Sequence, residues 1–127
     1  SVKAIAGIKL PSQLANELTA VTSYIESHVP PDGKILCFPY CPLINTLTGH
    51  DSPSYFSFFY PETFRAADQD TVIRELASSK SVVIMLQRPG PIESEAEFED
   101  NRLGKLKSYI SSHYQLVHAT PNFYFLQ

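Results

Sequence analysis

A small group of side chains in the first half of the sequence has the types needed for chemistry. His50 and Asp51 are adjacent and follow Gly49, so they could act as a general base and the carboxylate that orients it. Adjacent residues rarely face each other, however, and Asp51-Ser52-Pro53 is also a typical turn sequence. We therefore prefer to interpret this pair as part of a turn, with the base and its partner as the alternative.

Other polar residues give weaker signals. His28, His113 and His118 have no acidic or Cys partner at ligand spacing, so we expect no metal site. Arg88, just before Pro89, could hold a phosphate or carboxylate or form a salt bridge at the rim of a cleft. Prolines stand where a dinucleotide site would need glycines, and neither a P-loop nor a Gly-x-Ser-x-Gly elbow occurs. No cofactor is expected.

Cys37 and Cys41 form a Cys-x3-Cys pair, which is neither the usual redox spacing nor half of a common zinc site. Two interpretations stay open. One is a disulfide in an oxidising compartment. The other, which we prefer because spacing does not define disulfide geometry, is a buried Cys37 on a strand with an unrelated thiol at Cys41.

His50, Asp51 and Cys41 lie in residues 39–61, which we interpret as one long aromatic loop. Loops of this length are usually functional or disordered, and the aromatic content favours function. The block 55–60 (Tyr-Phe-Ser-Phe-Phe-Tyr) is interpreted as packed on the sheet, as a platform for a sugar face, or as a surface pressed against another domain or the membrane.

Composition limits the class of partner. The chain has 127 residues, with 10 Lys and Arg against 13 Asp and Glu, so it has no basic surplus for nucleic acid or an anionic membrane surface. No run approaches the ~20 apolar residues of a membrane span. The chain begins with Ser1 and stops at Gln127 directly after an apolar run. We expect a piece of a longer polypeptide, with residues 1–11 as a linker and 12–127 as one domain.

Apolar periodicity and turn residues predict the elements that position these side chains. They are a helix at 12–28, a strand at 34–38, a helix from Asp68 or Asp70 to about 79–80, a strand at 81–86, a helix at 95–111, and strands at 114–119 and 122–126. This order predicts a three-layer α/β domain with a mostly parallel sheet and an antiparallel C-terminal hairpin. Ligands bind such sheets beyond the carboxyl ends of the strands, where the segments 39–61 and 87–93 begin.

Several short segments together resemble one family. They are the Pro30-Pro31 helix terminator, Phe38-Pro39-Tyr40-Cys41-Pro42, Leu47-Thr48-Gly49-His50, Ser52-Pro53-Ser54-Tyr55 and Tyr60-Pro61. From Leu10 onward the chain is similar to the C-terminal soluble extracytoplasmic domain of multi-spanning glycosyltransferases. That group includes the dolichyl-phosphate-mannose protein mannosyltransferases and the bacterial lipid A aminoarabinose transferases, whose members often carry Arg at the position of His50.

The resemblance implies a parent enzyme that transfers a sugar from a polyprenyl-phosphate donor on the outer face of the membrane. Its catalytic acid would lie in a membrane loop outside this chain, so the chain would be inactive alone. It would cover the membrane site or help to hold a glycan or lipid-linked acceptor, and its main partner would be the membrane-embedded part of its own parent. The expected contact residues are Tyr40, Asn45, His50, Asp51, Tyr55 and Arg88.

Two other classes remain open. The chain could be a free-standing α/β domain that binds or converts a small molecule in the same cleft, with Tyr40, Asn45, His50, Asp51 and Arg88. It could also be a purely structural interaction module that docks through its aromatic block.

Overall fold

The computed structural model describes residues 7, 9–38, 41–56, 59, 64–86 and 103–127. Within these residues the chain is mixed α/β, with four α-helices, one 3₁₀ turn and four strands. In chain order they are α1 (Ser12–His28), β1 (Lys34–Phe38), α2 (Pro42–Thr48), the 3₁₀ turn (Ala66–Asp68), α3 (Gln69–Ala77), β2 (Ser81–Leu86), α4 (Gly104–His113), β3 (Leu116–Ala119) and β4 (Phe123–Leu126). The predicted bounds of α1, β1 and β2 are confirmed.

The four strands form one mixed sheet in the order β1-β2-β4-β3. β1 and β2 are parallel, whereas β4 is antiparallel to both β2 and β3. The predicted parallel arrangement therefore holds only for β1 and β2. The predicted hairpin forms, and its second strand, β4, pairs with β2. Phe123 and Phe125 of β4 are buried, whereas all four residues of β3 are exposed, so pairing through β4 buries more apolar surface.

Helices pack on the sheet in two hydrophobic clusters, and alternate strand residues divide between them. Leu36, Phe38 and Val83 join one cluster, whereas Ile35, Cys37, Val82 and Ile84 join the other, together with Phe123 and Phe125. The cluster with Leu36, Phe38 and Val83 also contains residues of α3 and α4. The cluster with Ile35, Cys37, Val82 and Ile84 also contains residues of α1 and α2. Burial on both sides explains why β1 and β2 are continuous apolar runs in the sequence.

Helix α2 corrects the interpretation of residues 39–61 as one continuous loop. Pro42 occupies the first turn of this helix, Ile44 is buried, and Gly49 follows the last residue with a left-handed φ of 71°. Proline is tolerated at the start of a helix because its missing N–H would have no helical partner there, and glycine readily adopts the left-handed conformation that ends one. Pro42 and Gly49 are therefore the start and stop signals of a short helix.

Helices α3 and α4 are joined by a buried amide. Gln69 at the start of α3 donates from Nε2 to the Ala66 carbonyl at 3.0 Å, and its Oε1 accepts the Leu106 N–H at 2.9 Å. That N–H belongs to the first turn of α4, where it has no partner within the helix. The helix predicted at 95–111 thus corresponds to α4, which extends to His113, while residues 95–102 lie outside the described residues.

Helices α1 and α4 end in nearly the same hexapeptide, Ser-Tyr-Ile-Glu-Ser-His at 23–28 and Ser-Tyr-Ile-Ser-Ser-His at 108–113. In each, the His Nδ1 donates to the Tyr carbonyl one turn earlier, at 2.9 and 3.0 Å, and both pairs of rings stack with centroids 4.1 Å apart. The Ser that precedes each His donates from its hydroxyl to the carbonyl of the first Ser, Ser27 to Ser23 at 3.0 Å and Ser112 to Ser108 at 2.8 Å. Each of these carbonyls lies four residues before its side-chain donor, so the side-chain bonds are additional to the backbone bonds of the last helical turn. Ile25 and Ile110 belong to different clusters of the core.

The Glu17 carboxylate of α1 hydrogen-bonds to the turn between β3 and β4. Glu17 Oε1 accepts the Thr120 hydroxyl at 2.6 Å and the Asn122 N–H at 2.9 Å, and Oε2 accepts the Asn122 side-chain amide at 2.6 Å. Hydrogen bonds to an ionised acceptor are stronger than neutral ones. The hairpin is therefore held at both its strand and its turn.

Candidate functional site

A cleft of about 360 Å³ lies beside the edge of β1 that pairs with no other described strand. We call it the β1 cleft. Its described walls come from β1, α2 and residues 49–56, and they bring together Cys37, Asn45, His50, Asp51, Ser52 and Phe56. The cleft is therefore beside the sheet edge, and none of its described walls comes from β2. The expected site beyond the carboxyl ends of β1 and β2 stays a prediction, because residues 87–102, which follow β2, lie outside the described residues.

Asn45 and Asp51 build one wall by satisfying the exposed edge of β1. The Ile35 N–H donates to the Asp51 carbonyl at 2.9 Å, and the Ile35 carbonyl accepts Asn45 Nδ2 at 2.8 Å. Asn45 Nδ2 also donates to the His50 carbonyl at 3.0 Å. Both hydrogens of this amide are thus committed, and its Oδ1 remains as an acceptor.

Cys37 is the next edge residue of β1. Backbone groups of alternate residues in a strand point the same way, so the N–H and carbonyl of Cys37 face the same edge as those of Ile35. Since Cys37 also lines the β1 cleft, this backbone forms part of the cleft wall.

The turn that precedes β1 positions the His50 ring through a hydrogen bond. The side chain of His50 is buried, with the residue only 8% exposed, and Nδ1 donates to the Gly33 carbonyl at 2.7 Å. A Cβ at Gly33 would lie 2.6 Å from a Val29 methyl carbon, so the close turn that supplies this carbonyl needs glycine. With Nδ1 as donor, Nε2 is the acceptor of the neutral imidazole.

His50 and Asp51 do not form the predicted pair of base and orienting carboxylate through His50 Nδ1. That nitrogen is committed to the Gly33 carbonyl, while the exposed Asp51 contributes its backbone carbonyl to β1. Both residues line the cleft, but they do so as neighbours in the segment that follows α2.

Two serine hydroxyls shape the segment that follows. The Ser54 N–H donates to Ser52 Oγ at 3.2 Å, and the Phe56 N–H donates to Ser54 Oγ at 3.1 Å. Such side-chain turns fix the backbone locally without a helix or strand. Phe56 is then packed edge-on against Phe64, with centroids 5.0 Å apart and an interplanar angle of 87°.

A disulfide between Cys37 and Cys41 connects the end of β1 to the start of α2, with Cα atoms 5.1 Å apart. The structure thus has the bonded pair, not the two separate thiols that we preferred from the sequence. Sequence spacing could not show that the chain turns back at once into α2 and brings the two residues within bonding range.

Of the predicted contact residues, Asn45, His50 and Asp51 come together in the β1 cleft. Tyr55 is 88% exposed and is not among the described lining residues. Tyr40 and Arg88 lie outside the described residues. The sequence interpretation missed Ser52 and Phe56, although the Ser-Pro-Ser sequence before Tyr55 was a usable sign of side-chain turns.

The aromatic block 55–60 divides between surface and core. Phe59 is fully buried and packs against Phe38 and Phe64, with centroids 5.1 and 4.8 Å apart. Tyr55 projects into solvent. Packing on the sheet therefore describes Phe59, and a surface role is open to Tyr55, while residues 57, 58 and 60 lie outside the described residues.

The resolved pKa shifts lie outside the cleft. Lys105, through a hydrogen bond and its charge, lowers the pKa of Asp70, and burial, aided by Tyr109, raises the pKa of Tyr114. Among the described residues no group of His, Cys, Asp and Glu side chains is arranged to hold a metal ion. No described helix is long and apolar enough to cross a membrane.

Comparisons with known proteins find no matching family model, no matching curated protein and no matching solved structure.

Proposed function

We propose that this chain is the soluble extracytoplasmic accessory domain of a membrane glycosyltransferase that uses a polyprenyl-phosphate sugar. It is not catalytic alone, and it covers the membrane site or assists acceptor binding through the β1 cleft. The observation that carries the proposal is that cleft, around which three of the segments behind the family resemblance lie. Leu47-Thr48-Gly49-His50 ends α2 and places His50 in the wall, Ser52-Pro53-Ser54-Tyr55 forms the side-chain turns, and Cys41 begins α2.

The chemistry of the cleft supports binding in preference to catalysis. His50 is the base candidate, but its Nδ1 donates to a backbone carbonyl and no carboxylate orients the ring through that nitrogen. Activated nucleophiles and bases are usually oriented by a third group in this way. The cleft has acceptors that can hold a ligand. Its described walls contain no base paired with an orienting carboxylate through His50 Nδ1.

The disulfide supports the proposed compartment. Bonds such as Cys37–Cys41 persist in secreted, periplasmic and cell-surface proteins and are rare in the reducing cytosol. The proposal therefore places the domain on the outer side of the membrane, tethered by the spans of its parent.

The proposal includes a three-layer architecture for the domain. The two hydrophobic clusters support it, because α1 and α2 contribute to one and α3 and α4 to the other. Two covered faces are the usual setting of a parallel pair such as β1 and β2.

The first test is the sequence of the parent gene, followed by activity in membranes. We expect several predicted spans upstream of Ser1. We also expect membranes that carry the parent without this domain to lose transfer of sugar from a polyprenyl-phosphate donor to its acceptor, while membranes with the intact parent retain it. A soluble parent, or full activity after deletion of the domain, would contradict the proposal.

The β1 cleft also favours a second candidate, a free-standing domain that binds a small molecule. The same residues, Asn45, His50 and Asp51, would then serve a soluble protein. The absence of upstream spans in the parent would favour this candidate.

The exposure of Tyr55 favours docking as the role of the aromatic block. Tyr55→Ser should preserve the fold and impair the parent's activity if the ring docks, whereas Phe59→Ser would disrupt the core and cannot test docking.

A further inference from the structure

We propose that the β1 cleft binds the hydroxyl-bearing edge of a single neutral sugar ring. Asn45, His50 and Asp51 would accept hydrogen bonds from its hydroxyls, and Phe56 would contact its apolar face. This inference rests on the proposed function and deepens it by naming the chemical class that the cleft takes.

The side-chain atoms of Asn45, His50 and Asp51 that stay available for a ligand are acceptors. Asn45 has committed both amide hydrogens and keeps Oδ1, and His50 donates from Nδ1 and keeps Nε2. The ionised Asp51 carboxylate can only accept. A matching ligand must therefore present several donors at one edge, as a ring with adjacent hydroxyl groups does.

The charge of the cleft selects against anions. Asp51 is exposed at the rim, and no Lys or Arg is among the described residues that line the cleft. A phosphate or carboxylate would meet a like charge, and the described walls offer no Lys or Arg to compensate it. Neutral hydroxyls avoid that repulsion and gain charge-assisted hydrogen bonds to the carboxylate.

The size and the apolar wall fit one ring. The cleft volume of about 360 Å³ is near the lower end of the about 300 to 1,000 Å³ usual for small-molecule sites. Phe56 lines it with an aromatic ring whose orientation is fixed by Phe64. A sugar ring has a polar rim and an apolar C–H face, which is the combination that such a wall can contact.

An extended peptide fits the same edge poorly. Strand addition requires a run of free backbone groups along a sheet edge. The N–H and carbonyl of Ile35 are already bonded to Asp51 and Asn45, so only Cys37 within β1 still presents its backbone at that edge. The backbone of Cys37 alone can bind one ligand group, but it cannot pair with an added strand.

The test is a nuclear magnetic resonance titration of the 127-residue chain with methyl glycosides of glucose, galactose and mannose. We expect at least one glycoside to bind in the millimolar range and to shift the amide signals of residues 45–52 and Phe56. Inorganic phosphate should leave these signals unchanged. The inference is overturned if no glycoside shifts them, if the shifts cluster elsewhere, or if phosphate binds more tightly than the glycosides.

Matched variants identify the residues responsible. Asp51→Asn should weaken glycoside binding about tenfold, because a hydrogen bond to a charged acceptor is lost. Asp32→Asn, which changes another exposed aspartate outside the cleft, should leave binding unchanged. If Asp51→Asn alters the amide spectrum beyond its neighbours, Phe56→Leu provides a second variant. Unchanged affinity in a folded cleft variant would overturn the assignment.

The inference and the proposed function fail separately. If glycosides do not bind but deletion of the domain abolishes transfer by the parent, only the sugar assignment is wrong. If glycosides bind in the cleft but the parent has no membrane spans, the sugar assignment stands and the accessory role is wrong.

Discussion

Asn45 has a structural task as well as a proposed binding role, since its amide satisfies the carbonyls of Ile35 and His50. Asn45→Ala should lower the free energy of unfolding by about 1–3 kcal/mol, because two partly buried carbonyls lose their donor. Urea unfolding followed by circular dichroism measures this. Asn16→Ala, at an exposed position of α1, is the control and should change stability little or raise it slightly. Equal stabilities of the two variants would contradict the assigned role.

Tyr114 makes stability depend on alkaline pH. Burial raises its pKa above the ordinary value of 10.0, so the unfolded chain releases this proton at a lower pH than the folded chain does. The contribution is therefore fully present below pH 10.0 and is lost as pH rises through the folded pKa. Tyr114→Phe should flatten the fall in unfolding free energy between neutral pH and about pH 11.

The control for this pH profile is Tyr124→Phe, which changes an exposed tyrosine of β4. It should keep the alkaline slope of the wild type. A slope that is the same in all three proteins would show that Tyr114 does not carry the effect.

At the residue scale, the sequence could predict which side chains belong to the site better than what they contact. Asn45, His50 and Asp51, which the sequence grouped as contact residues, line one cleft because they are close in sequence and polar within an apolar segment. The partner of His50 could not be predicted, since the Gly33 carbonyl comes from a turn 17 residues away. Such a contact depends on how α2 returns the chain to β1.

At the scale of elements, the carboxylate of Glu17 determines how firmly the terminal hairpin is attached to α1. Glu17→Ala should lower the free energy of unfolding by about 1–3 kcal/mol, because three hydrogen bonds to a charged acceptor are lost. Thermal unfolding at neutral pH measures the loss. Glu26→Ala, at an exposed position of the same helix, should be near neutral. A comparable loss in both variants would show that the helix, and not the hairpin contact, is affected.

Elements with strong periodicity were predictable, and α2 was not. The stripe of α1 repeats over several turns, and β1 and β2 are apolar runs bounded by turn residues. Helix α2 has only seven residues, too few for periodicity to outweigh the prolines around it. The position of β4 between β2 and β3 was also missed, because pairing order depends on which hairpin strand buries more apolar surface.

At the scale of the whole molecule, the disulfide should add modest stability. A cross-link restricts the unfolded chain, and for a loop as short as 37–41 the chain-entropy estimate is about 2 kcal/mol. Oxidised protein should therefore unfold at a higher urea concentration than the same protein in reductant. The Cys37→Ala/Cys41→Ala variant should not respond to reductant. Rapid alkylation of both cysteines in native, unreduced protein would show that the bond is absent.

The twin ends of α1 and α4 supply a matched pair of reporters on the two hydrophobic clusters. The Val29 and Tyr114 amides make the same local bond, to the carbonyls of Ile25 and Ile110 at 2.8 and 2.9 Å. Because the local chemistry is so alike, a difference in their deuterium exchange rates reflects mainly how often the region around each cluster opens. If reduction of the disulfide speeds exchange at Val29 more than at Tyr114, the region around the β1 cleft opens as a separate cooperative unit.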